Sequence, residues 1–322
     1  MNKEGIIRVA FIGAGYMATE HLKVFCSIPK VELVGIHSKT RRQAEKLAEE
    51  YGVKHVLDSI PLLYDSTNAD LVVVSVPELA TFEVCKEVFK HPWTILIEKP
   101  VGFNLEDARR IYELAKSSGS KVFVALNRRH YGSTRSVVDE LKSFDGSPRM
   151  VELLDQEDQI SALGAGQPEV VVKNWMFANS IHIIDYLNIF CRGNLIGVEN
   201  IISWDPMNPF LVFAKANYDS GDIGIYRCIW NAPGPWSVSI TTKKKRWEMR
   251  PLEVAHSQDY GSRTSVKLAE FEMDSIFKPG LKFQAEQAIQ AALGKANTLC
   301  TLDESMRLME LISEIYKVGE NG

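Results

Sequence analysis

The sequence predicts an α/β protein in two parts, a doubly wound parallel sheet followed by a half built on an antiparallel sheet. In residues 1–126, short apolar runs alternate with helical patterns, as they do where crossover helices cover a parallel sheet. Beyond residue 126 the runs are longer and alternate apolar with polar residues, which is typical of an antiparallel sheet with one covered face. The length of 322 residues is about twice the common domain size, which predicts two domains or one large α/β domain. The change of pattern favours two domains, 1–126 and 127–322.

The first half contains six runs of strand length with four helix-like segments between them. The last of these segments follows Asn104, with Asp107 three residues on, which is close to a capping box. The predicted strands are Ile6–Ile12, Val31–His37, Lys54–Val56, Leu71–Val76, Thr94–Ile97 and Lys121–Leu126. The predicted helices are Met17–Ser27, Arg41–Tyr51, Thr81–Lys90 and Leu105–Ser117. This arrangement predicts the doubly wound sheet.

The second half combines helical segments with alternating runs. Turn residues such as Ala232-Pro233-Gly234-Pro235 separate the runs, as expected between antiparallel strands. The helical segments are Tyr131–Phe144, the amphipathic stretch Phe177–Phe190, and the closing helices Leu281–Leu293 and Leu302–Tyr316, which are candidates to pack back on the first domain. The strand candidates are the apolar run Met150–Leu154 and the alternating runs Phe210–Asn217, Asp222–Trp230, Trp236–Thr242 and Ser265–Met273.

Composition and charge exclude several functional classes. The net charge of −4 gives no electrostatic reason to expect nucleic acid as a partner, since such binding usually requires a basic face. No apolar run approaches the roughly 18 residues that a membrane helix needs, and no export signal is visible at the N-terminus. We therefore expect a cytoplasmic protein without a membrane partner.

No metal site is expected. The five cysteines are far apart, odd in number and without a C-x-x-C pair, which argues against zinc or a disulfide framework and for a reducing compartment. The neighbouring carboxylates Asp155, Glu157 and Asp158 have neither ligand spacing nor a nearby histidine. We interpret these three acids as surface residues.

A glycine-rich turn, Gly13-Ala14-Gly15-Tyr16-Met17-Ala18, directly follows the first strand and precedes the first helix. It has the form G-x-G-x-x-A. Gly13 permits the tight turn, Gly15 lets a pyrophosphate approach the backbone, and the helix N-terminus offers N–H groups and a partial positive charge. This context predicts dinucleotide binding, with a plain strand-to-helix turn as the alternative.

The end of the second strand bears on the choice of nucleotide. The segment His37-Ser38-Lys39-Thr40-Arg41-Arg42 has no acid where a ribose 2′-OH is usually bound. Ser38, Lys39 and Arg42 can instead hold a 2′-phosphate, which predicts NADP(H) over NAD(H). In the alternative interpretation the basic residues form only the solvated first turn of a helix, and NAD(H) stays possible.

The tripeptide Glu98-Lys99-Pro100 follows the fifth strand, at the carboxyl end where open α/β sheets bind ligands. Pro100 restricts Lys99 to extended backbone angles, and a partly desolvated lysine can act as an acid or a base. Taken alone, the tripeptide is more simply a Glu-Lys pair at a strand end.

Asn179, His182 and Asp185 are spaced by three residues in the amphipathic stretch. On a helix they span roughly a 120° arc, so one side can present all three. A histidine one turn from a carboxylate suits proton transfer, although a histidine among isoleucines is more often a core residue. Together with a strand-end lysine it predicts hydride chemistry at a hydroxyl carbon, which needs a proton donor or acceptor.

Together these residues resemble the Gfo/Idh/MocA family, named after glucose-fructose oxidoreductase, inositol dehydrogenase and rhizopine catabolism, over nearly the whole chain. Glu98-Lys99-Pro100 is the most specific of the matching motifs. The others are the glycine turn, Val74-Ser75-Val76-Pro77, Asn127-Arg128-Arg129 and His182-Ile183-Ile184-Asp185.

The resemblance implies a Rossmann domain and an α/β domain with a large, mostly antiparallel sheet, which family members often use for dimer or tetramer contacts. It implies NAD(P)-linked oxidation or reduction of a sugar, nucleotide sugar or cyclitol in a cleft between the domains. Lys99, His182 and Asp185 are the expected catalytic residues, and Lys99, Trp175, Asn179 and His182 the expected substrate contacts. The expected cofactor contacts are Gly13, Ala14, Gly15, Tyr16, Met17, Ser38, Lys39, Arg42, Ser75, Val76, Pro77, Glu98, Lys99 and Asn127.

The sequence departs from the family pattern around the helix histidine. Ala178 stands where many members have Asp or Asn, and Asn179 follows one place later. Asn174-Trp175-Met176-Phe177 replaces a glycine pair, and Thr81 replaces a frequent histidine. These departures leave two alternatives open: a non-catalytic dinucleotide- or sugar-sensing regulator on the same fold, and an enzyme that recycles its bound cofactor during elimination or hydrolysis.

Overall fold

The computed structural model describes residues 5–144 and 146–318, which group into two compact units. The first unit contains residues 5–127 and Met273–Met306. The second contains the described residues of 128–272 and those from 307 onward. The chain therefore returns to the first unit after most of the second is complete. The functional boundary near residue 126 stays a prediction.

Fifteen strands are present in the described residues. They are β1 (Ile7–Ile12), β2 (Val31–His37), β3 (Val56–Leu57), β4 (Leu71–Val74), β5 (Thr94–Glu98), β6 (Lys121–Ala125), β7 (Met150–Glu157), β8 (Leu195–Ile202), β9 (Leu211–Tyr218), β10 (Ile223–Trp230), β11 (Ser237–Thr241), β12 (Lys245–Met249), β13 (Ala255–Asp259), β14 (Val266–Lys267) and β15 (Cys300–Thr301).

Twelve α-helices accompany the strands in the same part of the chain. They are α1 (Tyr16–Phe25), α2 (Arg41–Tyr51), α3 (Ile60–Thr67), α4 (Thr81–Val88), α5 (Leu105–Ser118), α6 (Gly132–Leu141), α7 (Gln159–Gly164), α8 (Glu169–Lys173), α9 (Ile181–Phe190), α10 (Met273–Ile276), α11 (Leu281–Ala292) and α12 (Leu302–Tyr316). A π-helical turn, Met176–Ser180, precedes α9 directly. Within residues 5–144 and 146–318, no helix combines the length and apolar character needed to cross a bilayer.

The first unit is built on a seven-stranded sheet in the order β15-β6-β5-β4-β1-β2-β3. Its six N-terminal strands pair in parallel, and only the short β15 is antiparallel to its neighbour β6. Every residue of β4 is buried, as expected for a strand covered on both faces. The strand order reverses between β1 and β4, which is where doubly wound sheets bind ligands at the strands' carboxyl ends.

The core of the first unit joins the sheet to helices from both ends of the chain. Phe11 of β1 and Phe25 of α1 meet edge to face, with ring centroids 5.9 Å apart. The same buried cluster contains Leu22 of α1 and Ala285 and Ala288 of α11. Small residues on α11 permit close helix packing, so this C-terminal helix completes the N-terminal sheet.

The second unit is built on an eight-stranded sheet in the order β14-β13-β12-β11-β7-β10-β9-β8. All neighbouring pairs are antiparallel except β7 with β10. Burial alternates along β7, β9 and β10, and α9 packs against β7. The predicted fold class, a doubly wound parallel sheet plus an α/β half with a large, mostly antiparallel sheet, is therefore confirmed.

Several predicted elements differ from the structure. The predicted strand over Ser265–Met273 is wrong, because only Val266–Lys267 pair and Met273 begins α10. The side chains there are largely exposed, so their alternation buries no face. The helix predicted over Phe177–Phe190 begins as the π turn and is α-helical only from Ile181. The sequence patterns did not predict α3, α7, α8, α10, β8, β12, β13 or β15.

Candidate functional site

The glycine-rich turn packs tightly on one side and is open on the other. Gly13 has φ +106°, and a Cβ at that position would lie 2.0 Å from the Ser75 carbonyl oxygen, so only glycine fits. A Cβ on Gly15, in contrast, would have no described atom within 4 Å beyond its chain neighbours and its own helix. The turn between β1 and α1 therefore packs Gly13 against Ser75 and Val76, which follow β4, and leaves the Gly15 side open.

Helix α1 begins immediately after this turn. Its N-cap is Gly15, and no described side chain caps the helix there. The first N–H groups of α1 thus keep their hydrogen-bonding capacity for an anion, and the helix dipole favours negative charge at the same place. Ala14 is buried and Met17 packs on the core, whereas Tyr16 is 66 % exposed. The residues fit the pyrophosphate of a dinucleotide.

The basic segment after β2 is exposed, and part of its charge is already paired. The Thr40 backbone N–H donates to Ser38 Oγ at 3.2 Å. Arg41 donates to Glu45 Oε1 at 2.8 Å and also pairs with Asp58. Lys39 and Arg42 are exposed beside them. Arg41 is therefore held by acids, and Lys39 and Arg42 are the cations better placed for a 2′-phosphate.

The end of β5 is tied to α1 by a pair that the sequence patterns did not predict. His21, only 1 % exposed, places Nε2 2.7 Å from Glu98 Oε1. Lys99 follows as a half-buried residue, joined to Pro100 by a cis peptide bond. The available signal was a histidine in the helix that follows the glycine motif. Its partner Glu98 can be identified only when α1 and β5 are known to be neighbours.

Three further predicted cofactor contacts, Ser75, Pro77 and Asn127, follow strands of the same sheet. The Ser75 N–H donates to the Ile12 carbonyl at 2.8 Å, which holds the end of β4 against β1. The Pro77 carbonyl accepts from the Ala80 N–H at 2.8 Å. Asn127, buried after β6, donates from Nδ2 to the Pro279 carbonyl at 3.0 Å, just before α11. Asn127 thus holds the segment before α11.

His182 and Asp185 lie on α9 in the second unit, and both are buried. The Asp185 carboxylate accepts from Arg129 Nε at 2.5 Å and from Arg129 Nη2 at 2.6 Å, a bidentate pair that the sequence patterns did not predict. The interpretation that Asp185 orients His182 stays a prediction. The ion pair shows a separate role, since it fixes α9 to the segment that follows β6.

Asn179 lies outside α9, in the π turn, and points to β7. Its Nδ2 donates to Glu157 Oε2 at 2.8 Å, and Ser180 Oγ donates to Glu157 Oε1 at 3.1 Å. The prediction that Asn179, His182 and Asp185 share one arc assumes a regular α-helix. Asn179 lies in the π turn, so that assumption does not hold for it. Asn179 and Asp185 consequently have different partners.

Asp155 and Glu157 are not surface residues, and their interpretation as such is wrong. They are 2 % and 1 % exposed. Asp155 Oδ2 accepts from the Tyr226 hydroxyl at 2.7 Å. Burial raises the pKa of Asp155, and burial together with the Asp155 carboxylate raises the pKa of Glu157 well above its usual value. The signal that was missed is the two-residue alternation of a strand. Val151, Leu153, Asp155 and Glu157 are every second residue and therefore share one face of β7.

A cavity of about 550 Å³ opens beside Glu157 in the second unit. We call it the tryptophan cavity. Two predicted substrate contacts, Trp175 and Asn179, line it. The lining residues are Gln156, Glu157, Asp158, Ser161, Ala162, Ala165, Gln167, Trp175, Asn179, Gly234 and Trp236. Among the described residues, no cluster of three or more His, Cys, Asp or Glu side chains is arranged to hold a metal ion.

Comparison with known proteins places the first unit in a family. Residues 7–126 match the GFO_IDH_MocA family model, described as "Oxidoreductase family, NAD-binding Rossmann fold". Among curated proteins, D-glucoside 3-dehydrogenase of Escherichia coli K12 is 27 % identical over 136 residues, which is 42 % of this chain and 39 % of that enzyme. The chain thus matches only about two fifths of the length of that relative.

Two longer matches extend beyond the first unit. The 4-carboxy-2-hydroxymuconate-6-semialdehyde dehydrogenase of Sphingobium sp. SYK-6 is 22 % identical over 238 residues, 71 % of this chain and 74 % of that enzyme. The solved structure of UDP-N-acetylglucosamine 3-dehydrogenase from Acidithiobacillus ferrooxidans has a TM-score of 0.77 at 16 % identity, covering 97 % of both chains. At that identity the structural likeness establishes the fold of both units and nothing further.

Proposed function

We propose that this chain, which belongs to the Gfo/Idh/MocA oxidoreductase family, is an NAD(P)(H)-dependent oxidoreductase acting on a ring carbon of a sugar, nucleotide sugar or cyclitol. The observation that carries the proposal is the open glycine turn at the N-terminus of α1, with Lys99 at the end of β5 in the same unit. The names of relatives support the substrate class, since they include a glucoside dehydrogenase and a myo-inositol dehydrogenase.

The first unit is proposed to bind the nucleotide. Gly13–Met17 would hold the pyrophosphate, and Ser75–Pro77, Glu98 and Asn127 the nicotinamide half. Ser38, Lys39 and Arg42 would bind a 2′-phosphate, so we propose NADP(H) over NAD(H). When bound, the nicotinamide supplies the hydride acceptor or donor for the reaction.

Lys99 and His182 are proposed as the proton-transfer groups. In the oxidation direction Lys99 takes the proton of the reacting hydroxyl as its carbon loses a hydride, and in reduction it returns that proton to the oxygen. His182 is the second acid or base, with Asp185 holding α9 in place through Arg129. Trp175 and Asn179 are proposed to contact the substrate, because both line the tryptophan cavity.

A binding titration followed by a substrate panel tests the proposal. NADP(H) and NAD(H) are titrated on the purified protein, and then neutral sugars, sugar phosphates, nucleotide sugars and cyclitols are supplied while nicotinamide absorbance is followed. We expect tighter binding of NADP(H) and a net absorbance change with at least one polyol. If neither NADP(H) nor NAD(H) binds at millimolar concentration, the proposal is overturned. Nucleotide binding without turnover of any polyol would favour the regulator instead.

A further inference from the structure

The tryptophan cavity has a rigid aromatic wall. The Trp236 indole N–H donates to the Gln156 carbonyl at 2.8 Å, and the Arg128 guanidinium lies 3.8 Å from the centroid of the Trp236 ring. These two contacts fix the plane of Trp236. Trp175, half-buried before the π turn, adds a second aromatic side chain. Aromatic faces carry partial negative charge, which suits the C–H face of a saturated ring.

The polar part of the cavity is formed by the Glu157 carboxyl and the Asn179 amide. Both Glu157 oxygens accept hydrogen bonds, from Asn179 and from Ser180. Burial and the neighbouring Asp155 raise the pKa of Glu157, which opposes the ionisation of this acid. The Asn179 amide also lines the cavity and keeps a carbonyl acceptor and a second N–H. Such groups suit ring hydroxyls, which both donate and accept.

The rim of the cavity carries a negative charge. Asp158 caps α7, accepting from the Ser161 N–H at 2.9 Å and from Ser161 Oγ at 2.6 Å. These hydrogen bonds lower the pKa of Asp158, so its carboxylate is ionised at neutral pH. No lysine or arginine occurs among the described residues that line the cavity, and the nearby Arg128 lies against Trp236. A phosphate placed beside Asp158 would meet its carboxylate. The Arg128 guanidinium next to the cavity is already stacked on Trp236, and it opposes the rise that burial causes in the pKa of the buried acids Asp155 and Glu157.

We infer that the tryptophan cavity binds an unphosphorylated polyol ring, neutral or bearing an amine, and that Asp158 discriminates against phosphorylated sugars. A volume of about 550 Å³ lies within the range of pockets that enclose small ligands. The inference rests on the proposed function, because the ring bound here is taken as the substrate. It narrows that function from sugars in general to substrates whose ring in this cavity carries no phosphate.

Direct binding to the full-length protein tests this inference independently of turnover. Dissociation constants are measured by calorimetry for methyl β-D-glucopyranoside, myo-inositol, glucosamine and glucose 6-phosphate. Each titration is done without nucleotide and with saturating NADPH, which cannot oxidise an alcohol. We expect at least one unphosphorylated compound to bind, and glucose 6-phosphate to bind at least about tenfold more weakly than methyl β-D-glucopyranoside.

Variants locate the binding and the discrimination in this cavity. Trp175→Leu should weaken binding of the unphosphorylated ring by about tenfold, whereas Trp175→Phe, which keeps an aromatic face, should recover most of it. Asp158→Asn, which keeps a helix-capping side chain, should reduce the preference over glucose 6-phosphate by about fivefold. Asp139→Asn removes an exposed charge from α6 and should leave that preference unchanged.

Three results would overturn the inference: no binding of any unphosphorylated compound, equal affinity for glucose 6-phosphate, or unchanged affinity in a folded Trp175→Leu protein. Circular dichroism and thermal unfolding establish that each variant is folded. Ring binding without any nicotinamide turnover would retain the inference about the cavity and count against the redox function. Nicotinamide turnover in a protein whose ring affinity is unchanged by Trp175→Leu would support the redox function and count against the inference about the cavity.

Discussion

Lys99 takes its position from residues on either side of it in the sequence. Glu98 is bound by the buried His21 of α1, and Pro100 restricts the backbone angles of Lys99 itself. The end of β5 is therefore tied to the helix that begins at the glycine turn. This arrangement gives a lysine on a rigid strand end, which is what a proton-transfer group requires to act on a positioned hydroxyl.

Replacing Lys99 tests its role. Lys99→Ala should lower turnover by about 10²–10⁴-fold, because a positioned proton-transfer group typically contributes that factor. Nucleotide affinity should change much less, since Gly13–Met17 and the α1 N-terminus are retained. Lys90→Ala, which removes an exposed lysine paired with Glu87, is the control. Steady-state kinetics and nucleotide titration measure the two effects, and undiminished turnover of Lys99→Ala would rule out the assignment.

The proposed preference for NADP(H) is assigned to two exposed cations, Lys39 and Arg42. The double variant Lys39→Ala/Arg42→Ala should lose about ten- to a hundredfold in NADP(H) affinity, because charge-assisted hydrogen bonds to the 2′-phosphate are lost. NAD(H), which lacks that phosphate, should bind almost as before. Lys46→Ala, on the same helix and also exposed, is the control. Equal losses for both nucleotides, or none for NADP(H), would contradict the 2′-phosphate assignment.

At the scale of single residues, the sequence predicts those whose function follows from local geometry. Gly13 is recognisable because the turn it makes is local. Arg129 as the partner of Asp185 and His21 as the partner of Glu98 are not recognisable, because the pairs are 56 and 77 residues apart and form only when distant elements pack. Long-range partners decide what a titratable residue does, and no local pattern contains them.

At the scale of elements, β7 combines two functions in one alternating pattern. Its inward face begins with Val151 and Leu153, which pack in the core, and ends with Asp155 and Glu157, which lie beneath α9 and the π turn. Asn179 and Ser180 donate to Glu157, and Tyr226 donates to Asp155 Oδ2, so three of the four carboxyl oxygens at the polar end accept hydrogen bonds.

The buried acid of β7 makes stability depend on pH. The pKa of Glu157 is raised in the folded protein, so between its unfolded value near 4.5 and the raised value the folded state binds more protons than the unfolded state. Stability from this group is therefore complete below about pH 4.5 and falls as the pH rises, with a slope of at most about 1.4 kcal/mol per pH unit. Glu157→Gln should remove that loss.

Denaturant unfolding of the wild type and Glu157→Gln from pH 5 to pH 9 measures the effect. The variant should gain in stability relative to the wild type as the pH rises. Glu152→Gln, on the opposite and less buried face of β7, is the control and should run parallel to the wild type. A stability difference between wild type and Glu157→Gln that is constant with pH would show that the buried acid does not resist ionisation.

Elements with a clear burial pattern are predictable, and those without one are not. β2, α2 and α12 have the bounds expected from the sequence, because each has a distinct apolar face or run. Strand β8 has no fully buried residue, so apolar and polar side chains do not alternate between a buried and an exposed face. Helix α3 begins Ile60-Pro61, and proline is tolerated in a first turn that Ser59 caps, which an interpretation of proline as a helix breaker misses.

At the scale of the whole molecule, the second sheet has a face that is less buried than its core face. On β10, Ile225, Arg227 and Ile229 point away from the core side, and Phe213 of β9 and Leu154 of β7 lie on the same side. Half-buried apolar side chains across three adjacent strands form a surface of the kind that proteins cover by association. We propose that a second copy of this chain covers it, as the family resemblance implies.

Charge placed on that face should break the association. The wild type should run as a dimer or tetramer of the 36.2 kDa chain in light scattering coupled to gel filtration, and Ile225→Arg and Phe213→Arg should shift it towards monomer. Burying an unpaired guanidinium opposes assembly, whereas an arginine on a monomer's surface costs little. Leu62→Arg, at an exposed apolar position of α3, is the control and should leave the mass unchanged. A wild-type protein that is monomeric at tens of micromolar would exclude the contact. Oligomers that persist in both sheet variants would place the contact on another surface.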